Sequence, residues 1–286
     1  MAAQGSRSVD QESSVGDSNQ QFAVGLARAF GGAILFSIPM LMSMQMWSLG
    51  FYMDPFRLAL FTLLGVPLLI VLSYYAGFEE TNQLTADVLD AFSAYAVGFV
   101  AAASLLVLFT ILGPGMSADE IIGKIAVQAV PASIGAMLAR SQFNERQPQE
   151  ERNRREHDRE GLFLSVAGAF YLACTLAPTE ELMLISSKMS PVGIIALILF
   201  SLLVLHCFVY AAVAEGKSPI PKDAIPFWTL FAHFTVVGYT IALLISVYML
   251  WTFGRTDDMP ASQILQATIV LGFPAALGAG AARLIF

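Results

Sequence analysis

Charged residues are scarce in this chain, and their scarcity excludes whole classes of protein. Only 13% of the 286 residues are Asp, Glu, Lys or Arg, whereas 56% are hydrophobic. Water-soluble domains carry about 25% charged residues, so this composition is typical of a protein whose solvent is a lipid bilayer. The net charge of -7 also argues against nucleic acid as a partner, because phosphate binding requires clustered Lys and Arg.

Cysteine is nearly absent, and so are the motifs of several chemistries. Cys174 and Cys207 are the only cysteines, which is too few for a disulfide framework or a zinc site, and both are expected to be packing residues. The sequence contains no HExxH, GxSxG or Walker motif. Zinc proteolysis, serine hydrolysis and nucleotide-driven pumping therefore lack their usual groups. We expect a protein that is not an enzyme and that holds no cofactor or metal.

The sequence predicts an all-α polytopic membrane protein. Eight segments are long and apolar enough to cross about 30 Å of hydrocarbon, which takes roughly 20 helical residues. The fourth segment is the weakest, because Lys124, Gln128 and Pro131 interrupt it. The eight predicted spans lie near 23-47, 55-77, 88-112, 119-140, 161-185, 190-213, 226-253 and 260-284.

The chain also contains an internal repeat, which predicts two halves of four helices each. A shift of 136 residues places Gly32 on Gly168 and Pro55 on Pro191 without a gap. A shift of 143 places PASIGAMLAR (131-140) on PAALGAGAAR (274-283). Apolar helices often match by chance, whereas aligned Gly, Pro and Arg rarely do, so the matches indicate a duplication.

The repeat divides the chain into four predicted regions. These are a disordered cytoplasmic tail (1-21), a first repeat (22-142), a charged cytoplasmic linker (143-160) and a second repeat (161-286). The tail lacks the basic and apolar regions of a cleaved secretory signal. Because four is an even number of spans, the two repeats are expected to run parallel through the membrane. They would invert if the fourth and eighth segments were re-entrant.

The distribution of Lys and Arg predicts the orientation. With a cytoplasmic N-terminus, the inner side would carry 11 basic residues and the outer side four, Arg57, Lys124, Lys188 and Arg255. The positive-inside rule then places both termini in the cytoplasm. Much of this asymmetry comes from the single basic stretch between Arg140 and Arg159.

Small residues repeat at four-residue spacing along the fourth and eighth segments. In each segment a Gly and three Ala form two such pairs, a pattern that lets helix backbones approach closely. We expect these segments to pack at the interface between the repeats rather than to bind a ligand. The residues are Ala132, Gly135, Ala136 and Ala139 in the first half and Ala275, Gly278, Ala279 and Ala282 in the second.

The sharpest functional feature is the segment APTEELM (177-183) in the fifth predicted span, where Pro178 is expected to break the helical hydrogen-bond ladder and two carboxylates follow at once. An intramembrane carboxylate is costly and marks a candidate site. At a shift of 136, Thr179 matches Ser43 and Glu181 matches Gln45, so these four groups could converge near the axis between the repeats and hold a cation or proton. Alternatively, Glu180 and Glu181 reach the lipid headgroups. Adjacent helical residues point about 100° apart, which favours Glu181 over Glu180 as the core-facing group.

Two histidines form a second candidate site. His206 in the sixth segment and His233 in the seventh lie at similar predicted depths, where they could relay protons or bind haem. Their counterparts in the first half are Ile70 and Ser93. A hydrogen-bonded structural histidine is the alternative for each.

Four stretches carry a resemblance to a known family. ARAFGGAILFSIPMLMSMQMWSLGFYMDP (27-55), LSYYAGFEET (72-81), DAFSAYAVGF (90-99) and APTEELMLI (177-185) resemble a family of bacterial integral membrane proteins of unknown function. The resemblance covers nearly the whole chain after the tail and implies a bacterial inner membrane location. It also implies a small second membrane protein as a partner, and it supplies no catalytic residues.

These observations leave three function classes open. The leading hypothesis is a channel or carrier for a small cation or protons, with the site built by Glu181, Thr179, Gln45, Ser43 and Glu180. The second is a non-transporting scaffold or regulatory subunit of a partner membrane protein. The third is an intramembrane redox enzyme that uses His206 and His233. The lipid bilayer is the expected partner in every case, and the oligomeric state stays open.

Overall fold

Helices account for all the regular secondary structure that the computed structural model describes, which comprises residues 23–76, 84–142, 154–214 and 231–285. The predicted tail (1-21) and residues 143–153 of the predicted linker lie outside these ranges. Ten helices are described, and all except two short ones of 9 residues have 16 residues or more. The helices are α1 (Ala23–Leu41), α2 (Met44–Tyr52), α3 (Pro55–Ala76), α4 (Leu84–Leu108), α5 (Ala118–Gln142), α6 (Arg154–Leu176), α7 (Glu180–Lys188), α8 (Pro191–Ala214), α9 (Val237–Thr252), which a π-helical turn (Phe231–Val236) precedes, and α10 (Ala261–Ile285).

The membrane class is confirmed. Within the described ranges, seven helices are long and apolar enough to cross a bilayer, or up to eight if the bent pair of α6 and α7 counts as one span. α6 begins at Arg154, so the end of the predicted linker is helical. With 23 residues, α6 is about 35 Å long at 1.5 Å per residue, which exceeds the hydrocarbon thickness.

Two predicted spans are interrupted, the first where no break is predicted and the fifth at Pro178, where a break is predicted. The predicted first span (23-47) ends at Leu41, and α2 begins after Ser43, whose backbone is extended. The predicted fifth span (161-185) ends at Leu176, and α7 leaves it at an angle of 91°. Pro178 lies in this second break, where its missing N–H and its ring disfavour a continued helix. Each break is followed by a short helix of 9 residues.

The long helices α3 and α8 begin with a proline directly after the short helices α2 and α7. Pro55 and Pro191 occupy the first helical position, which needs no N–H donor. Asp54 Oδ1 accepts hydrogen bonds from the backbone N–H groups of Phe56 and Arg57, at 2.9 and 3.1 Å. Ser190 Oγ accepts one from Gly193 at 3.1 Å. Capped starts of this kind fix where each long helix resumes.

The doubtful fourth segment is the most buried helix of the seven single spans. Over an apolar stretch of 18 residues in each span, 83% of the residues are buried in α5 and 61% in α10, against 39% or less in the other five. Both helices continue through an internal proline, Pro131 in α5 and Pro274 in α10. Of the seven single spans, these two are therefore the most enclosed by other helices.

Paired glycines produce the closest helix crossings. A methyl group added at Gly32 of α1 would overlap the backbone of Gly135 in α5, and one at Gly168 of α6 would overlap that of Gly278 in α10. The prediction that these residues pack between the repeats is wrong in location, because each crossing joins the first and last long helices of one half. Small residues are required since nothing larger fits between the backbones.

Aromatic side chains join the two halves. The ring of Phe61 stacks on that of Phe170 with centroids 5.9 Å apart and contacts Phe253 at 5.7 Å. Tyr171 packs on Phe36 and donates a hydrogen bond of 3.2 Å to its carbonyl oxygen. The described part of this interface is thus a packed aromatic layer.

Candidate functional site

The two glutamates of APTEELM begin the short helix α7 and are exposed. Glu180 and Glu181 form its first turn, and Lys188 lies in its last turn. This arrangement complements the helix dipole, which favours carboxylates at the N-terminus and cations at the C-terminus. Thr179 precedes the helix, and its hydroxyl donates to the carbonyl of Leu176 at 2.7 Å. The geometry corresponds to the headgroup alternative more closely than to a core-facing carboxylate.

The matching residues of the first half form a separate pair. Ser43 Oγ donates to Gln45 Oε1 at 3.1 Å, at the start of α2. α2 packs on α5, whereas α7 packs on α10. Among the described residues, no hydrogen bond links Ser43 or Gln45 to Thr179 or Glu181, so the structure does not bring the four groups together by direct contact.

The two predicted histidines have unequal surroundings. His206 Nδ1 lies 2.9 Å from Thr235 Oγ1, a fully buried hydroxyl in the π-helical turn. The ring of His206 also makes an edge contact with Phe231. The side chain of His233 lies outside the described part of the chain. The described contacts of His206 are those of a hydrogen-bonded structural histidine.

A polar stripe on α5, consisting of Glu120, Lys124 and Gln128, is the feature that sequence reasoning assigned no function. Lys124 is only 4% exposed, and its Nζ lies 2.6 Å from Glu120 Oε1. Lys124 Nζ also lies 3.8 Å from Met116 Sδ and 5.9 Å from the centroid of the Trp47 ring. The four-residue spacing of Glu120, Lys124 and Gln128 could have identified the stripe from the sequence, because residues four apart share one face of a helix.

Gln128 is the most unusual member of the polar stripe. It is fully buried, and neither its amide nitrogen nor its amide oxygen has a hydrogen-bond partner. Burying an amide without a partner costs about 2–7 kcal/mol. Gln128 lies about 15 Å along the helix from Ala118, which is near the middle of the span Ala118–Ala139. The polar stripe therefore runs from one end of α5 to the middle of its candidate span.

Helical geometry places Gln128 on the face of α5 that meets α1. Gly135 lies seven residues further along, which is two helical turns, and contacts Gly32 and Phe36 of α1. α1 ends at Leu41, on the side of these contacts that leads toward the start of α5. The last carbonyl groups of an α-helix have no partner within the helix. The unpartnered amide thus faces a helix that ends within the same bundle.

A second polar cluster lies at the short-helix end, which we define as the end formed by α2, α7 and the turn 253–260. The guanidinium of Arg255 donates from Nη2 to the carbonyl oxygen of Pro178, while its Nε is buried without a partner. Arg255 lines an open depression together with Glu180 and Glu181. The break that frees this carbonyl is therefore capped by a residue 77 positions away.

An ion pair connects the two halves at the same end. Arg57 Nη1 and Nη2 each lie 2.8 Å from a carboxylate oxygen of Asp257, and the guanidinium lies 5.0 Å from the centroid of the Trp251 ring. The hydrogen bonds from Arg57 lower the pKa of Asp257, which lies in the turn outside the spans. A bidentate pair of this kind fixes the relative position of α3 and the turn.

Asp257→Asn is expected to lower the midpoint of thermal unfolding slightly at pH 7. The Asp257 side chain is 51% exposed, and exposed pairs contribute about 0–1 kcal/mol. Because the pKa of Asp257 is lower in the folded state, its ionisation stabilises the protein above the unfolded pKa of about 3.9. This stabilisation is lost as the pH falls through the folded-state pKa. Unfolding scans in detergent should therefore separate the two proteins at pH 7, approach each other below a pH of about 3.9 and converge once the pH is below the lowered pKa of Asp257. Asp258→Asn, an exposed neighbour, should match wild type throughout, and a difference that persists at low pH would contradict the ion pair.

The chain was compared with known proteins. No curated protein and no solved structure matches it. A model of one protein family, described as "Putative integral membrane protein (DUF2391)", matches residues 25–286. That range includes every helix of both halves except the first two residues of α1. The chain is therefore a multi-pass integral membrane protein that belongs to this family.

Proposed function

We propose that this protein transports a small cation or protons, and that the polar stripe of α5 forms part of the route. The observation that carries the proposal is Gln128, whose buried amide has no partner in the middle of its candidate span. A polar group in this position is costly for a purely structural helix and is typical of a substrate pathway. Its counterpart in the second half, Leu271, is apolar and equally buried, so packing alone does not require the amide.

The Glu120–Lys124 pair supplies the chemistry of the proposed route. One carboxylate can bind either the ammonium group of Lys124 or an incoming cation at close range, because a second positive charge would be repelled. Competition for Glu120 couples entry of the cation to release of Lys124. The amide oxygen of Gln128, one turn further into the span, then offers the next uncharged ligand. Ser43 and Gln45 lie at the start of α2, which packs on α5, and are proposed to line the same entrance.

Ion flux through purified protein in liposomes tests this proposal. Gln128→Leu places in the first half the residue that the second half carries, and flux is expected to fall about ten- to hundredfold. This range corresponds to the loss of one hydrogen bond to a charged group, about 1.5–3 kcal/mol. Potassium, sodium and proton gradients should be applied in turn, with circular dichroism confirming that the variant is folded.

Two further variants separate the route from its surroundings. Ser246→Ala removes a buried hydroxyl that bonds to its own helix, at Ala242, and should leave flux unchanged. Glu181→Gln tests the carboxylate predicted from the sequence, and flux equal to wild type would remove Glu181 from the mechanism. If Gln128→Leu conducts as well as wild type, the polar stripe does not form the route.

The competing proposal is a non-transporting scaffold or regulatory subunit. It is supported by the aromatic layer between the halves and by the exposure of Glu180 and Glu181. On this proposal the polar stripe only positions α2 against α5. Liposomes that pass none of the three cations, with wild-type protein correctly folded, would favour the scaffold.

We also propose that the two halves arose by duplication and run parallel in a bacterial inner membrane with cytoplasmic termini. Equivalent bounds support duplication, since α2 and α7 differ by 136 positions and α5 and α10 by 143 at both ends. The crossings of Gly32 with Gly135 and of Gly168 with Gly278 occupy matching positions as well. An impermeant thiol reagent should label Lys188→Cys from outside the cell, and labelling only from the cytoplasmic side would refute this orientation.

A further inference from the structure

The depression at the short-helix end contains charges of both signs that are not paired with one another. It has a volume of about 570 Å³, and its walls include two carboxylates, a guanidinium and apolar side chains. Within the described residues, no ion pair joins Arg255 to Glu180 or Glu181, and Arg255 Nε is buried without an acceptor. The lining residues are Glu180, Glu181, Met183, Leu184, Ser187 and Arg255.

The orientation of α7 places this depression at the level of the lipid headgroups. α7 lies at 91° to α6, so it runs along the membrane surface when α6 crosses the bilayer. Leu184 and Ile185 are more than half exposed, whereas Leu182 and Ser186 on the other face are buried. A short helix that presents leucine and isoleucine outward at the surface is typical of an interfacial helix. The outward apolar side chains adjoin the charged wall of the depression.

We propose that this depression binds a phospholipid whose headgroup carries a phosphate and a primary ammonium group. The guanidinium of Arg255 is the donor for the phosphate, since Arg presents several N–H groups to phosphate oxygens. Glu180 and Glu181 accept hydrogen bonds from the ammonium group. The acyl chains lie against Met183 and Leu184. One ligand with adjacent opposite charges therefore binds Arg255, which otherwise donates to the carbonyl oxygen of Pro178, and both carboxylates at once.

The same chemistry distinguishes among headgroups. A trimethylammonium headgroup has the same charge but no N–H donor, so it cannot hydrogen-bond to the carboxylates. An anionic glycerol headgroup offers the phosphate but no cation, and two carboxylates repel it. Phosphatidylethanolamine is therefore expected to bind more tightly than phosphatidylcholine or phosphatidylglycerol. This site is distinct from the polar stripe of α5 and does not depend on transport.

Thermal unfolding of the full chain in detergent, titrated with each of the three lipids, tests the proposal. A ligand that binds only the folded state raises the Tm in a concentration-dependent way. For wild type we expect phosphatidylethanolamine to give the largest rise at equal concentration. In Glu180→Gln/Glu181→Gln this advantage should disappear, with about tenfold or weaker binding of phosphatidylethanolamine. Both side chains are exposed, so the amides should not disturb the fold.

Two controls determine the source of the effect. Asp258→Asn removes an exposed carboxylate outside the depression, at a positive φ of 58° that Asn tolerates, and should retain the preference. Soluble phosphoethanolamine at the same concentration should give no shift, because it lacks acyl chains for Met183 and Leu184. The proposal is overturned if wild type shows no preference among the lipids, if the double variant keeps the preference, or if phosphoethanolamine alone reproduces the shift.

Discussion

Glu120→Gln is expected to lower the free energy of unfolding by about 3–5 kcal/mol, the usual cost of leaving one member of a buried ion pair without its partner. Lys124 is 4% exposed and Glu120 is its only ion-pair partner among the described residues. The substitution keeps the shape of the side chain while removing its charge. Thermal unfolding in detergent should show a clearly lower midpoint than that of wild type.

Two companion variants identify the cause of this loss. Asp119→Asn changes the neighbouring carboxylate, which is exposed, and should cost no more than the helix-dipole contribution of about 0.3–1 kcal/mol. Glu120→Gln/Lys124→Met removes both charges and should recover much of the lost stability, because no uncompensated ammonium group remains. If the double variant is less stable than Glu120→Gln, the pair is not the source of the effect.

The fold class was predictable because length and apolar composition act locally. Each long helix carries apolar side chains on nearly all of its faces, because each face contacts either another helix or lipid. The spans are therefore recognisable without knowledge of their neighbours. The break after Leu41 was not predicted, and at Pro178 the break was predicted but not its angle of 91°. A proline can kink a transmembrane helix or end it, depending on what satisfies the freed carbonyl. The carbonyl oxygen of Pro178 accepts a hydrogen bond from Arg255, 77 residues away. No local sequence pattern predicts this contact.

The polar stripe shows the limit of sequence reasoning about the site. Lys124 and Gln128 are visible in the sequence as polar residues in an apolar segment, and there they indicate only a weaker span. They become candidate functional residues only because α5 is the most buried single span. That burial results from long-range packing, which the sequence does not show. Conversely, the polar counterpart Gln45 favoured Glu181 as a core-facing group, whereas after the 91° bend Glu181 is exposed. Pro178 thus predicts a break in the helix but not the direction in which α7 continues.

The sequence predicted that these small residues allow close helix crossings, but it placed the crossings between the repeats instead of within each half. Spacing identifies the small residues that let backbones approach, but it does not identify the partner helix. Gly135 and Gly278 face the first helix of their own half. The aromatic residues that do join the halves, such as Phe61 and Phe170, have no distinctive spacing.

Gly168→Ala is expected to destabilise the protein by about 1–3 kcal/mol or more, the usual effect of overpacking a tight contact. The added methyl group would overlap the carbonyl oxygen of Gly278 and the Cβ of Ala282. The first of these is backbone, so the two helices must separate along their crossing. That separation removes contacts throughout the most closely packed part of the second half.

The sign of the change makes this expectation specific, because alanine normally stabilises a helix interior relative to glycine by about 0.5–1 kcal/mol. Gly31→Ala provides the matched control, since nothing lies within 4 Å of its added methyl group, and it should raise the midpoint of thermal unfolding. Gly32→Ala, one residue further on, should lower it as Gly168→Ala does, because its methyl group would overlap Gly135 and Ala139. Opposite effects at adjacent positions cannot arise from helix propensity. Equal effects at Gly31 and Gly32 would show that the close crossing does not form.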